Sequence, residues 1–483
     1  MDEPIGLRWT GNAVIDMGVA AAVLSENVDR PEDITRSQWN GLMHRLERDY
    51  ASGLFRKPSM ILLTNNTFEN PSFGKSPESR LAKIAEAFNL ARGEAEPQEE
   101  VCTFFAERQA VVQAVRSDYP LLMGTGQINF YPHGTANLPL SELAYGCILA
   151  LPLVSPIVSG RFMVLSSIDR SLFLRLCSVW KTDVEQELGI LRQGGEGVER
   201  KAPKTHLLSA LKDVYRRAAD LQESGVSQRP AGLTLYHLSN SGNGAAVDIY
   251  TVPPHVLGFI RRTQAQAYRH LFGALSKAFW RNAKGQFSGV EPEERERPVL
   301  RNMIYESLPG LPREAPSFIR RFFLKYVRNR VGVDQTLIVE DRDLWLLLHL
   351  FLTEVMHMHK DRIEVLKHLA DELASEIKEN NDVPLYRDLM GKTKKGSYAA
   401  FSQLLARALR KRLERTNKLM FTSDQYLLAL QEGDEIPRAD WLLARDLVRV
   451  RCLEKLHELG YDFGNAPKVE EEEEEYNTTE TEL

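Results

Sequence analysis

The stretch Trp9-Thr-Gly-Asn-Ala-Val-Ile-Asp-Met-Gly-Val-Ala-Ala-Ala-Val-Leu24 decides how this chain is organised. Beyond Asp16 its side chains are small and apolar, so a helix here can pack closely against whatever lies over it. A segment apolar on every face belongs inside a protein. Gly11 and Asn12 are turn residues just ahead of it, and Asp16 is a candidate capping carboxylate. Nothing in the stretch is catalytic.

The chain around that helix has 483 residues, long enough for two or three compact units. Apolar residues make up 43%, enough for proper cores. The formal charge of −5 is unevenly spread, because residues 470–483 hold eight glutamates and no base, which leaves residues 1–469 at +3. Residues 470–475 are a pure glutamate run that cannot bury apolar surface, and a disordered acidic tail is expected over 467–483. The four cysteines, Cys102, Cys147, Cys177 and Cys452, are scattered and form no C-x-x-C pair. This argues against a disulfide framework and suits a reducing cytoplasm. The first residues lack the basic and apolar regions of a signal peptide. The most apolar window, 344–358, is interrupted by His349, Thr353, Glu354 and His357, whereas a bilayer span needs about 20 mainly apolar residues. The sequence therefore predicts a cytoplasmic protein with no membrane segment.

An α+β fold is expected, with a large mixed N-terminal region followed by a C-terminal four-helix bundle. Short apolar runs at 60–63 and 162–165, bounded by Pro, Asn or Gly, read as buried strands, and 78–91 reads as a helix. Residues 192–204 turn to Gly, Glu, Arg and Pro, the composition of a linker or exposed loop. A helix over about 205–223 precedes two alternating runs, 233–238 and 245–252, which flank a turn-rich hexapeptide and read as a β-hairpin. Tyr268, Leu271, Phe272, Leu275 and Phe279 recur at helical spacing, and residues 286–316, with five prolines, read as the approach to a second domain. Apolar stripes at Ile363–Ile377, Phe401–Leu409 and Trp441–Leu456 join the 344 helix as the four bundle members, with Pro437 at a helix start and Gly460 at its end. The expected domains are 1–335, 336–466 and the tail 467–483.

Two basic segments stand out. In residues 317–330, Phe318, Ile319, Phe322, Phe323, Tyr326 and Val327 share one helical face, while Arg320, Arg321, Lys325, Arg328 and Arg330 project from the others. Such a helix can anchor by its aromatics and offer cations to phosphates, or it can be a core helix with a solvated basic face. Residues 392–418 carry nine bases, among them Lys394, Lys395, Arg410 and Lys411, against the single acid Glu414. A surface helix usually mixes signs, so this surplus favours a polyanion partner.

The catalytic and metal signatures fail on geometry. Gly391-Lys-Thr resembles the end of a phosphate loop, but Tyr386 stands where the motif needs glycine. His357 and His359, if helical, diverge by about 200° and cannot share an ion. Asp341 and Asp343 are more simply a helix cap. No metal, cofactor or catalytic residue is expected. The amide-rich loop with Asn65, Asn66, Thr67, Asn70 and Lys75 can present paired donors and acceptors to base edges, or be a turn held by its own Asx bonds. Asn129 and Arg161 carry the same two readings.

The order of four segments adds a resemblance. A bulky residue followed by Thr10-Gly-Asn and Asp16-x-Gly, then Asn65-Asn-Thr-Phe-Glu-Asn-Pro71, then Asn129-Phe-Tyr-Pro132, then residues 152–161, resembles the CXXC-CXXC large subunits of type I-B CRISPR effector complexes, or Cascade. The resemblance covers about the first third of the chain. The chain departs from it at the cysteines, since Phe105 stands where a second sulfur would follow Cys102 and Cys147 stands alone, and no zinc is expected. The resemblance implies an antiviral-defense protein that is not an enzyme. Its partners would be crRNA, target double-stranded DNA, the Cascade backbone subunits and small subunits, and a nuclease-helicase or transposition proteins. It would bind the crRNA handle and the protospacer-adjacent motif (PAM), leaving target sequence to guide pairing. Asn65, Asn66, Thr67, Asn70 and Lys75 are then the expected motif and handle contacts. Arg320, Arg321, Lys325, Arg328, Lys394, Lys395, Arg410 and Lys411 are the expected backbone contacts. A free-standing RNA-binding or regulatory protein is the alternative.

Overall fold

A computed structural model describes residues 3–68, 76–122, 136–221, 231–240, 245–282, 284–293, 296–391, 398–431 and 438–463. The chain is α+β and forms two compact units, one of residues 1–261 with 293–301, the other of residues 262–292 with 302–483. Residues 302–335, grouped with the N-terminal region by sequence, thus fold with the later helices.

The first unit is built on the opening stretch. Asn12 caps the helix Ala13–Glu26 by accepting from the amides of Val14 and Ile15, and Asn27, in the left-handed region, ends it. The helix is buried on all sides from Val14 to Val23. It packs against the equally buried helix Glu142–Ala150 and against the strand Arg161–Ser167. Gly18 makes the first contact possible, since any Cβ there would overlap the Cys147 backbone. The expected strand at 162–165 is the second member of a four-stranded antiparallel sheet. Met163 pairs with His237, and His237 pairs with Asp248. The hairpin strands are Leu233–Ser239 and Ala246–Val252, as their alternation predicts. The apolar run at 60–63 is different: it completes a helix, Arg56–Leu62, rather than a strand. Four apolar residues satisfy either period, and the neighbouring Phe55, Ser59 and Leu62, all buried, select the helical one.

Residues 193–202 form a loop, but one stitched down inside the first unit. The Ser159 amide donates to the Arg200 carbonyl at 2.7 Å, and the Lys201 amide to the Pro298 carbonyl at 2.7 Å. Buried Arg200 also pairs with Glu187. The helix Pro203–Asp220 that follows carries His206, whose ring stacks on Trp180 with centroids 6.1 Å apart. Burial, with Arg200 beside it, pushes the His206 pKa down to about 3 from 6.5, although the Asp183 carboxylate lies 3.7 Å away. Between those two values the unfolded chain takes up a proton that the folded chain refuses, so stability is fully present above about pH 6.5 and is lost on acidification. His206→Gln should remove on the order of 1–3 kcal/mol of this pH dependence, read from urea midpoints at neutral and mildly acid pH. Parallel pH profiles for the two proteins would show that the ring is solvated.

The second unit is helical. The helices Trp345–Glu354, Lys360–Asn380, Tyr398–Thr416 and Trp441–Glu458 are the four bundle members expected from the stripes. Gln266–Ala278, Val383–Met390 and Ser423–Leu430 add to them. Lys360–Asn380 packs along Trp441–Glu458, and the stripes Ile363, Leu366, Leu373 and Leu447, Val448, Leu456 are buried. Leu344, not either aspartate, is the N-cap of Trp345–Glu354; Asp343, one residue earlier, accepts from the Trp345 amide at 2.8 Å, and Asp341 pairs with Arg330. Gly460, at φ 65°, follows the last helix. Pro437 and the acidic tail lie outside the described residues.

Candidate nucleic-acid interface

The motif that opens the chain is a closed hydrogen-bonded unit. Asp16, 3% exposed, accepts from the Thr10 amide at 2.7 Å and the Thr10 hydroxyl at 2.9 Å through Oδ1, and from the Gly11 amide at 3.2 Å through Oδ2. The Arg170 guanidinium pairs with Asp16 Oδ2 at 2.9 Å and lies 4.8 Å over the Trp9 ring, which packs edge-on against Phe173. Asn12 Oδ1 also accepts from the Tyr119 hydroxyl at 3.0 Å. Every element of Trp-Thr-Gly-Asn-x-x-x-Asp is used to fix the entry of the buried helix. The motif therefore has a structural job, the bracing of a helix start by a buried carboxylate.

The amide-rich loop divides. Asn65 is exposed at φ 62°, a conformation asparagine tolerates, and Thr67 is exposed beside it. Asn66 is 2% exposed, and its amide side chain donates to the Ser59 carbonyl at 3.4 Å. It braces the turn from inside and cannot read a base edge, because short amides turn toward the backbone when the backbone offers a partner. Asn70, Lys75 and Asn129 lie outside the described residues. Arg161, at the start of its strand, pairs with Asp248 at 2.7 Å and is one-third exposed.

In the second unit the aromatic segment is one helical rod made of Ala315–Phe318, a π-helical turn Ile319–Leu324, and Lys325–Arg330. Its aromatic face is buried as the spacing predicts, with Phe318 stacked on Phe351 at 5.1 Å. The basic side chains do not all face outward. Arg320 donates to Asp446 Oδ2 from Nε at 3.0 Å and Nη2 at 2.9 Å. Arg328 is 8% exposed, and Arg330 pairs with Asp341 at 2.8 Å. Arg321 is exposed and Lys325 half-buried, each also lying over an aromatic ring, of Phe322 and Phe287 respectively.

The basic helix Tyr398–Thr416 is likewise matched by acids the linear sequence places elsewhere. Arg407 pairs with Asp388, and Lys411 with Asp382 at 2.7 Å. Arg412 reaches Glu372 at 3.3 Å, and Arg415 reaches Glu376 at 2.9 Å and Glu379 at 3.0 Å. Lys411 holds the Asp382 carboxyl below its ordinary range against the opposing effect of burial. Four of the five bases on the helix Tyr398–Thr416 are thus paired with acids from Lys360–Asn380, from Val383–Met390 and from Asp382, the N-cap of the latter. Arg410 stays exposed, while Lys394 and Lys395 lie outside the described residues.

No protein-family model and no curated protein matches this chain.

Among the described residues no group of three His, Cys, Asp or Glu is placed to hold a metal ion. His357, at φ 52°, and His359 lie in the turn before Lys360–Asn380 rather than on a helix. All four cysteines are buried thiols, and burial, followed by Asp16 and Cys102, raises the Cys147 pKa well above its ordinary value. No described helix is long and apolar enough to cross a membrane. Sequence reasoning took the Trp441–Glu458 helix for its apolar face alone and missed Arg445 and Arg449. Their spacing of four, with Asp446 between them, was the available signal.

Proposed function

We propose that the chain is a non-catalytic large subunit of a crRNA-guided type I-B surveillance complex, recognising the adjacent motif and helping to open target DNA. The observation that carries this reading is the convergence of elements that contain or adjoin three of its four family-like segments. The 9–24 helix packs on the strand that opens with Arg161, and the Arg56–Leu62 helix leading into Asn65 touches that strand and its partner Leu233–Ser239. The helix of the first segment, the helix that leads into the second and the strand that begins at the end of the fourth thus meet at one sheet, which supports the reading. On this reading Asn65 and Thr67 are the exposed contacts of the loop, and Arg321, Lys325 and Arg410 contact backbone phosphate in the second unit. The bracing residues Asn66, Arg320 and Arg328 hold those surfaces in place. Guide pairing reads the target, and the protein reads the short motif and the backbone. Recruitment of a nuclease-helicase or transposition proteins belongs to the same proposal.

The test is reconstitution with guide RNA and backbone subunits. Asn65→Ala should weaken binding to duplex targets about tenfold, the cost of one good base contact, while sparing targets whose strands are already separated. Equal loss on both substrates removes the motif-reading role. Failure of the tagged chain to copurify with any short RNA from its own cells removes the assembly role.

A further inference from the structure

Four cations of the second unit have no counter-charge, and they lie together. Arg281 and Lys284 come from its first segment, residues 262–292, and Arg321 and Lys325 from the aromatic rod. A short antiparallel turn carries the first two: Arg281 bridges to Phe287, and the Ser288 amide donates to the Trp280 carbonyl at 2.9 Å. Asn282 fixes the bend between them, its Oδ1 accepting the amides of Lys284 and Gln286 at 3.0 Å each, and Lys284 stands exposed at the tip. The Phe287 ring joins turn to rod. The Arg281 guanidinium lies 5.2 Å and the Lys325 ammonium 5.3 Å from its centre, so the two charges are no more than about twice that distance apart. Arg321, one turn before Lys325, lies 5.6 Å from the Phe322 ring. Phe279 links the two rings edge-on, at 4.9 Å from Phe322 and 5.7 Å from Phe287. Among the described residues none of the four cations makes an ion pair, and Arg281 Nε is buried with no hydrogen-bond partner. Their neighbours on the rod differ, since Asp446 holds Arg320 and Asp341 holds Arg330. An aromatic ring keeps a cation in position without neutralising it. Like charges gathered this way repel one another, and an anion laid across them replaces that repulsion by attraction.

We infer that Arg281, Lys284, Arg321 and Lys325, set around Phe287, form a binding surface for the phosphodiester backbone of a single nucleic-acid strand. Each of the four side chains ends in donors and carries no acceptor. A phosphodiester chain is the converse, charged at every unit and free of the backbone N–H groups that an acidic peptide would bring. The cations form a row across turn and rod rather than the wall of a pocket, which suits a strand lying over them. Such contacts position a strand and do not read its bases. Arg321 and Lys325 are backbone contacts in the function proposed above, and the inference rests on that reading while adding Arg281, Lys284 and the ring between turn and rod.

The experiment follows the fluorescence anisotropy of a labelled oligothymidylate strand with the full-length chain over a salt series. Lys284→Gln combined with Arg321→Gln removes two exposed charges, so the melting temperature should not move. Affinity at low salt should fall about tenfold, and the slope of log affinity against log salt should shrink by about 1.4, at about 0.7 for each phosphate released. Lys325→Gln alone should shrink it by about 0.7. Lys284→Arg with Arg321→Lys keeps both charges and should keep most of the slope. Arg30→Gln, at an exposed position in the first unit, should leave affinity and slope unchanged. No binding by the unaltered chain, or an unaltered affinity and slope in the double variant, overturns the surface. Polyglutamate that displaces the strand at equal concentration of charge overturns the ligand class and points to an acidic polypeptide. The outcomes are separable from those of the crRNA-guided reading. An unchanged slope in a double variant that still copurifies with short RNA removes this surface and leaves that reading. A reduced slope for a chain that copurifies with no RNA keeps the surface and removes that reading.

Discussion

Asp16→Ala should cost the protein about 3–5 kcal/mol, the range for removing one partner of a buried ion pair. The carboxylate receives the Thr10 amide, the Thr10 hydroxyl, the Gly11 amide and the Arg170 guanidinium, and alanine leaves all four without their acceptor. Arg170 would keep its place over Trp9, so the loss falls chiefly on the backbone donors that set the helix entry. Asp16→Asn retains one acceptor oxygen and should cost less. Removing the acid from an exposed pair, Asp248→Ala opposite Arg161, should change stability by less than about 1 kcal/mol. Urea unfolding of the variants checks the order. A loss at Asp16 no larger than at Asp248 would mean that the Thr-Gly-Asn turn does not depend on its carboxylate.

That contrast bears on what a motif is. The residues that look most like a signature are those with the most hydrogen bonds to satisfy inside the fold. Asn12 caps a helix, Asn66 braces a turn and Asp16 collects backbone donors, all from within the protein. A motif of this kind reports architecture first. On the function proposed above, the surface that counts in the first unit is Asn65 and Thr67, carried on the turn that Asn66 holds.

Periodicity made the large helices and the hairpin legible, because one apolar stripe and one alternating pair each fix a face. It failed at residues 60–63, where four apolar residues are too few to distinguish a period of 2 from one of 3.6. Charge is harder to read along the chain. Counting along 392–418 finds nine bases and one acid, but Asp382, Asp388, Glu372, Glu376 and Glu379 stand across from Arg407, Lys411, Arg412 and Arg415 in space. Linear charge surplus predicts a polyanion surface only where no neighbouring helix supplies the counter-charge. At Asp446 the sequence shows two arginines on one helix, and a third guanidinium, from Arg320, reaches the same carboxylate from more than a hundred residues away.

The close approach of two helices at Gly18 makes the other large prediction, that Gly18→Ala destabilises the first unit by at least ~3 kcal/mol. On an isolated helix the same change would help by about 1 kcal/mol, because alanine is the better helix former. Here the added Cβ would coincide with backbone atoms of Cys147, and backbone inside a buried helix has no rotamer by which to yield. The helices Ala13–Glu26 and Glu142–Ala150 would have to separate, opening the packing of a segment buried from Val14 to Val23. Gly146→Ala provides the comparison, since its Cβ would meet the side chains of Trp39 and Met43 rather than backbone. A ring and a thioether can shift, so the smaller loss belongs there. Gly41→Ala, where the nearest atom is the tip of Arg45, should be neutral or mildly stabilising. Thermal and urea melts of the three variants should rank Gly18 far below Gly146, and Gly146 below Gly41. Near-equal midpoints for Gly18→Ala and Gly41→Ala would show that the two helices do not meet backbone to backbone, and the small apolar stretch would lose its claim to organise the unit.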